Sequence, residues 1–171
     1  MALAAENESF VQVNKYHAGS TAGTAAAALF LQGFLPKYIP HAEVLELPLL
    51  VTVYFGLSRR SPGPGLLLGM VIGLLQDAVS HLPLGIYGMA QTVVGYGASW
   101  IGFRLDVEHP LSRFGLTFLF YDLERGILAL IRRYLLAQPG PYINRYWLAG
   151  SVATAALAVL IYPQMDRLRK S

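Results

Sequence analysis

GPGLLLGMVIGLLQDAVSHLPLGIYG, residues 63–88, is the stretch that decides the fold of this chain. It reads as two membrane helices joined by a tight turn, the first carrying Gly65, Gly69 and Gly73 and leading into Gln76 and Asp77. Glycines that recur every four residues lie along one side of a helix. They let a neighbouring backbone approach closely, as seams of small residues do in lipid. Asp77 continues the same stripe. A carboxylate at the centre of a membrane helix costs ~2.5 to 3.5 kcal/mol, so Asp77 is expected to face protein, water or the interface and not lipid tails. The turn that follows, with Ser80, His81, Leu82, Pro83, Leu84 and Gly85, ends one helix and starts the next.

Composition points the same way. Hydrophobic residues make up 54% of the 171 and charged residues 13%, which leaves too little polar surface to cover a soluble globule. The expectation is an all-α polytopic membrane protein, a single domain built as a six-transmembrane-helix bundle. The apolar windows fall at 19–35, 42–57, 63–79, 84–103, 114–136 and 146–162, flanked by a polar tail at 1–17 and a basic tail at 163–171. Every boundary carries a breaker: Pro36 and Pro40, then Pro62 to Pro64, Pro83, Pro110, and Pro139 to Pro141. The chain has no cysteine, which removes disulfides, thiolate metal sites and cysteine nucleophiles. No basic segment precedes the first apolar run and no small-residue cleavage site follows it, so a cleaved signal peptide is not expected. The net charge is +3, but the basic groups sit at helix ends without an aromatic-studded patch, and nucleic acid is not an expected partner.

Basic residues also orient the chain. With the amino terminus in the cytoplasm, Lys15, Arg59, Arg60, Arg104, Arg113, Arg167, Arg169 and Lys170 lie inside, against Lys37 and Arg145 outside, joined by Arg132 and Arg133 if the fifth helix ends early. That asymmetry predicts both termini inside. The basic tail can also meet anionic membrane lipid, at about 1 kcal/mol per residue near the surface.

The most polar span is the fifth, with Asp122, Glu124 and Arg125 in an apolar window. Asp122 and Arg125, three apart, are expected to pair on one face, leaving Glu124 in need of an interhelical partner, water or a proton. Glu43, Glu46 and Asp77 fall in the outer half under this topology. A charged, partly hydrated cavity is expected there, in which Glu43 or Glu46 meets Arg132 or Arg133. On the fourth helix Gly88, Thr92, Gly95 and Ser99 form a stripe of small residues, read as a packing face. Tyr38, Tyr87, Val94, Trp100, Tyr142, Tyr146, Trp147 and Tyr162 read as interfacial anchors or the opposing face. The first helix, with Ala18, Gly19, Ala22, Gly23 and Ala25 to Ala28, is smooth enough to dock another helix closely.

Catalytic chemistry finds little support. His17, His41, His81 and His109 divide two to each side of the membrane, which forbids one four-histidine metal site. Asp77, Ser80 and His81 contain triad residue types, but consecutive side chains point apart and rarely converge. Gly63, Gly65 and Gly69 lack the Lys-Ser/Thr that a phosphate-binding loop needs. No catalytic residue, cofactor or metal is expected.

The run Gly69, Gly73, Leu74, Leu75, Gln76, Asp77, Ser80, Pro83, Leu84, Gly85 and Gly88, followed by Gly95 and Tyr96, resembles the signature of the rod shape-determining protein MreD family. The resemblance extends upstream through Gln32 to Pro36 and the pair Arg59 and Arg60, and covers roughly residues 29–105. It implies a non-enzymatic inner-membrane component of the bacterial elongation machinery, which scaffolds peptidoglycan synthesis and cell shape. Its partners would be MreC and, indirectly, MreB, a RodA-type glycan polymerase and a class B penicillin-binding transpeptidase. The rival reading is the substrate-capture S component of an energy-coupling-factor vitamin transporter, another six-helix membrane protein whose fold this bundle could share. There, alanine-spaced seams on the first helix dock the transmembrane partner, and Ala18, Ala22 and Ala26 have that spacing. An ion-coupled carrier would exploit Asp122, Glu124 and Arg125, but no inverted repeat supports one.

Overall fold

The structure, a computed structural model, describes residues 18–38, 44–80, 83–104, 109–137 and 145–167. Among these, six helices and no strand form: α1 (Ala18–Tyr38), α2 (Leu47–Arg59), α3 (Pro62–Val79), α4 (Ile86–Arg104), α5 (Pro110–Tyr134) and α6 (Arg145–Asp166). Two of them, Pro62–Val79 and Tyr146–Asp166 within α6, are long and apolar enough to cross a membrane by length and composition. Glu43 and the histidines His17, His41 and His81 lie outside the described residues, as does Tyr142.

Each helix coincides with one expected window, but several prolines act differently from the boundary role expected of them. Pro62 and Pro110 each sit in a first helical turn, where the missing N–H is not needed and the fixed φ favours helix. Pro36 lies inside α1 and Pro163 inside α6, both close to the last turn, so each disrupts only the end of its helix. The window at 42–57 shifts most. Its helix starts at Leu47, where Gln32 Oε1 accepts the Leu47 N–H at 3.0 Å and Pro48 occupies the first turn. Arg60, with φ 51, makes the left-handed step that turns α2 into α3.

At 13 residues, α2 is about 20 Å long, and it is the centre of the molecule. It touches α1, α3, α4, α5 and α6, and every residue from Pro48 to Leu57 is buried. Leu49, Val53 and Phe55 have no exposed surface and form one core with Ile72 of α3, Val94 and Ala98 of α4, Phe120 of α5 and Ala158 of α6. Surrounded by protein, this helix has no exposed face between Pro48 and Leu57.

The outer helices are apolar on the outside as well. Phe30 and Phe34 of α1, Leu67 and Leu75 of α3, Val93 and Phe103 of α4, Leu119 and Leu130 of α5, and Leu148 and Leu160 of α6 are exposed. On α1 the small residues divide: Thr21, Ala25 and Ala28 face the core, whereas Ala22 and Ala26 are exposed and nothing approaches Gly19 or Gly23.

The most extensive helix–helix contact is that of α3 with α4. A Cβ on Gly69 would strike the Gln91 carbonyl, one on Gly73 the Tyr87 carbonyl, and one on Gly95 the Gly65 carbonyl. Gly65 meets Ser99 and Gly88 meets Leu74 in the same seam. Thus the glycine stripe does what its spacing predicts. A second seam was not foreseen: Gly56 of α2 packs on Ala98, and Gly102 of α4 packs on the Leu57 backbone. Helix α4 is therefore gripped on two sides.

Candidate functional site

Asp77 ends the seam and organises the turn after it. Its carboxylate is fully buried and accepts three backbone N–H groups: Gly85 at 2.8 Å and Gly88 at 3.1 Å on Oδ2, and Tyr87 at 2.9 Å on Oδ1. These are the unpaired donors at the start of α4, where the positive end of the helix dipole favours an anion. Gly85 has φ +106, a conformation open to glycine and strained for other residues. One carboxylate thus ties the end of α3 to the beginning of α4. Ser80, Pro83 and Leu84 stay exposed on the turn, away from this set of bonds.

Asp77→Asn keeps one acceptor oxygen, enough for Gly85 and Gly88, but loses the charge and turns its NH2 toward the Tyr87 N–H, so one donor is left unsatisfied at about 1 to 3 kcal/mol. Asp77→Leu leaves the N–H groups without a partner, at about 1 to 3 kcal/mol for each one that stays buried. Thermal unfolding of the detergent-solubilised chain should rank wild type, Asn and Leu in that order, and equal midpoints for Asn and Leu would refute this role.

Next to Asp77 in the chain, Gln76 turns into the protein and joins a buried polar network. Its Nε2 donates to Glu46 Oε2 at 3.0 Å, and its Oε1 accepts from Gln91 Nε2 at 2.6 Å. Gln91 Oε1 accepts from Thr52 Oγ1 at 2.8 Å. Glu46 Oε1 receives Arg125 at 2.9 Å and, more weakly, the Tyr87 hydroxyl at 3.4 Å. The Arg125 guanidinium also lies 5.3 Å from the centre of the Tyr121 ring, whose hydroxyl donates to the Val44 carbonyl at 2.9 Å. The network joins α2, α3, α4 and α5 and is bonded mainly to itself. Glu46, Gln76, Gln91 and Thr52 are all buried.

Several side chains pair otherwise than their spacing suggests. Arg125 does not pair with Asp122: Asp122 accepts the Trp147 indole N–H of α6 at 2.6 Å, and Arg125 reaches across to Glu46. Of the expected meeting of Glu43 or Glu46 with Arg132 or Arg133, Glu43 lies outside the described residues and Glu46 pairs with Arg125. Arg125 takes that place because it sits about two turns deeper on α5, level with the start of α2. Arg133 lies over the Tyr134 ring at 5.9 Å, on the exposed end of α5. Tyr87, Val94 and Tyr162 are buried and not interfacial anchors. Tyr38, Tyr146 and Trp100 remain exposed, with Arg104 at 4.4 Å from the Trp100 ring centre.

A smaller polar set closes the other end of the bundle. Asp166 pairs with Arg113 at 2.8 Å and accepts the Tyr54 hydroxyl at 2.9 Å, while Arg59 donates to Thr21 at 2.9 Å. Tyr162 hydrogen-bonds Thr117 at 3.1 Å and the Leu50 carbonyl at 3.3 Å. These bonds tie α6 and α1 to the central helix.

Sequence reading missed Thr52 and Gln91 altogether and gave Tyr87 and Trp147 a surface role. Gln91 could have been found, because a carboxamide in the middle of an apolar window needs a buried partner. Comparison with known proteins finds no matching family model, no matching curated protein and no matching solved structure.

Proposed function

We propose that this chain is a multi-pass protein of the bacterial inner membrane, acting without catalysis as a scaffold of the cell-elongation machinery beside MreC. The observation that carries this reading is the unit built by residues 65–95. There the glycines, Gln76, Asp77 and Gly85 of the MreD-like run lock α3 to α4 and fasten both to α2. A membrane setting is supported by the inverted distribution of side chains, with large apolar groups outside and a bonded set of carboxylate, amide and guanidinium groups inside. A scaffolding role is supported by where the polar groups point. Apart from Glu124, the buried acids and amides are satisfied by one another or by backbone, which holds helices in register.

Arg59, Arg60, Arg104, Arg113 and Arg167 occupy the ends opposite Asp77 and Glu46 in the alternating order of the helices, which supports cytoplasmic termini. A carboxy-terminal fluorescent fusion should be bright and an alkaline phosphatase fusion at the same point inactive. Affinity purification from native membranes tests the role. Recovery of MreC with elongation proteins is expected, whereas an ATPase module with a bound vitamin would transfer the chain to the transporter reading.

A further inference from the structure

The helix ends opposite Asp77 and Glu46 carry Arg59, Arg60, Arg104, Arg113 and Arg167, and among the described residues Asp166 is the only acid at that end. Asp166 is committed to Arg113 and Tyr54, while Arg59 turns to Thr21 of α1 and lies 5.8 Å from the Phe55 ring centre. Arg60 and Arg104 are brought to one corner by the packing. Helices α2 and α4 run side by side in the same direction, since Thr52 meets Gln91, Gly56 meets Ala98 and Leu57 meets Gly102. Arg60 follows Leu57 by three residues and Arg104 follows Gly102 by two, and the start of α3 lies there too, with Gly65 against Ser99. Arg60 is half-buried, and its Nε meets no acceptor among the described residues. Arg104 is exposed and held over Trp100, 4.4 Å from the ring centre. This corner opens onto the outer side of the α3–α4 seam. On the inner side of the seam Ile72 and Ala98 turn into the core with α2. Met70 and Tyr96, one residue past Gly69 and Gly95 on antiparallel helices, emerge together on the outer side, and both are exposed. Gly63, two turns before Met70 and so on the same side, has open space where a Cβ would stand. The face is thus an apolar track with two guanidinium groups, an indole and free room at its inner end.

We propose that this corner binds an anionic phospholipid of the cytoplasmic leaflet, its phosphate held by Arg60 and Arg104 and an acyl chain laid along Met70 and Tyr96. Guanidinium groups match phosphate oxygens in geometry as well as in charge. Trp100 stands where an indole suits the level of the headgroups. A lipid meets both halves of the face, the charged end and the apolar track, whereas a soluble phosphate meets only the arginines. A zwitterionic lipid brings its own cation to two arginines and gains less from them. The proposal rests on the membrane setting and is independent of whether MreC is a partner.

The chain has two tryptophans, Trp100 and Trp147, so the Trp147→Phe variant reports on Trp100 alone. The test places this full-length variant in phosphatidylcholine bilayers that contain a small fixed fraction of brominated lipid, either phosphatidylglycerol or phosphatidylcholine with the same brominated chains. Quenching of Trp100 should be stronger with the brominated phosphatidylglycerol. An arginine near an anionic headgroup is worth about fivefold in association, so Arg60→Gln and Arg104→Gln should each lower the preference by about that factor. Arg167→Gln removes the same charge at the end of α6 and should leave the preference intact. Equal quenching by the two lipids overturns the proposal. Equal losses in all three arginine variants overturn it as well, because the effect then belongs to the charge of the whole rim and not to a site. Loss of the preference on adding inorganic phosphate at constant ionic strength overturns it in favour of a soluble anion. No quenching by either lipid removes the membrane setting and the site with it. Native mass spectrometry of the wild-type chain, loaded with the two unbrominated lipids in equal amounts, gives a reading that needs no tryptophan variant. Retention of phosphatidylglycerol that is lost in Arg60→Gln with Arg104→Gln is expected, and equal retention of both lipids by wild type overturns the proposal.

Discussion

Replacement of Arg125 by methionine is expected to destabilise the bundle by about 3 to 5 kcal/mol, because it removes the guanidinium at 2.9 Å from Glu46 and leaves that carboxylate buried without its counter-charge. Methionine keeps much of the apolar stem that packs near Tyr121, so the loss reports on charge more than on volume. The companion experiment is the double variant Glu46→Gln with Arg125→Met. Removing both charges should restore most of the lost stability, since a buried ion pair contributes little net when both partners are replaced together. Equilibrium unfolding in a denaturing detergent, read by tryptophan fluorescence, compares the four species of the cycle. Additive losses, with the double variant no better than Arg125→Met alone, would show that the pair is not coupled as the geometry requires. Asp122→Asn is a useful contrast: its partner Trp147 donates a neutral N–H, and the carboxamide can still accept it.

How far this arrangement could be read in advance depended on whether its cause was local. The α3–α4 hairpin was legible because its determinants are short-range: glycine spacing fixes which side of α3 is smooth, and Asp77 lies close enough in the chain to Gly85 to cap the helix that follows. Interhelical choice was not legible. Asp122 and Arg125 have the spacing of an intrahelical pair, but such a pair on a helix surface is worth only about 0.2 to 0.5 kcal/mol, and better-placed partners on α2 and α6 win. The same applies to Tyr87, whose aromatic type suggests an interface while its position beside Glu46 makes it a buried donor. Helix α2 misled for a different reason. Its apolar run continues across its start; the one local mark of a beginning at Leu47 is Pro48 in the first turn, and the bonds of Gln32 and Glu46 that complete it are set by folding.

The α3–α4 seam yields the other large effect. Gly69→Leu should abolish stable assembly of the bundle in detergent, and Gly73→Leu should come close to it, because the atoms a side chain would meet are backbone carbonyls of α4, which cannot rotate aside as a side chain can. Overpacking of ordinary cores costs typically ~1 to 3 kcal/mol. Here the obstruction also separates the elements that carry two polar connections. Moving α4 away from α3 breaks the Gln91–Gln76 bond and pulls Gly85, Tyr87 and Gly88 off the Asp77 carboxylate, so the cost is expected at about 3 kcal/mol or more. Leu67→Ala and Leu74→Ala serve as controls on the same helix: Leu67 is exposed, and Leu74, which is partly exposed and touches Gly88 at the edge of the seam, only loses contact on truncation and obstructs nothing. Gly63→Ala is a third control, with open space where its Cβ would stand. Size-exclusion profiles and thermal midpoints should separate Gly69→Leu and Gly73→Leu from all three controls. Equal behaviour across the set would place the glycine face against lipid and remove the basis for treating residues 65–95 as the structural unit of the protein.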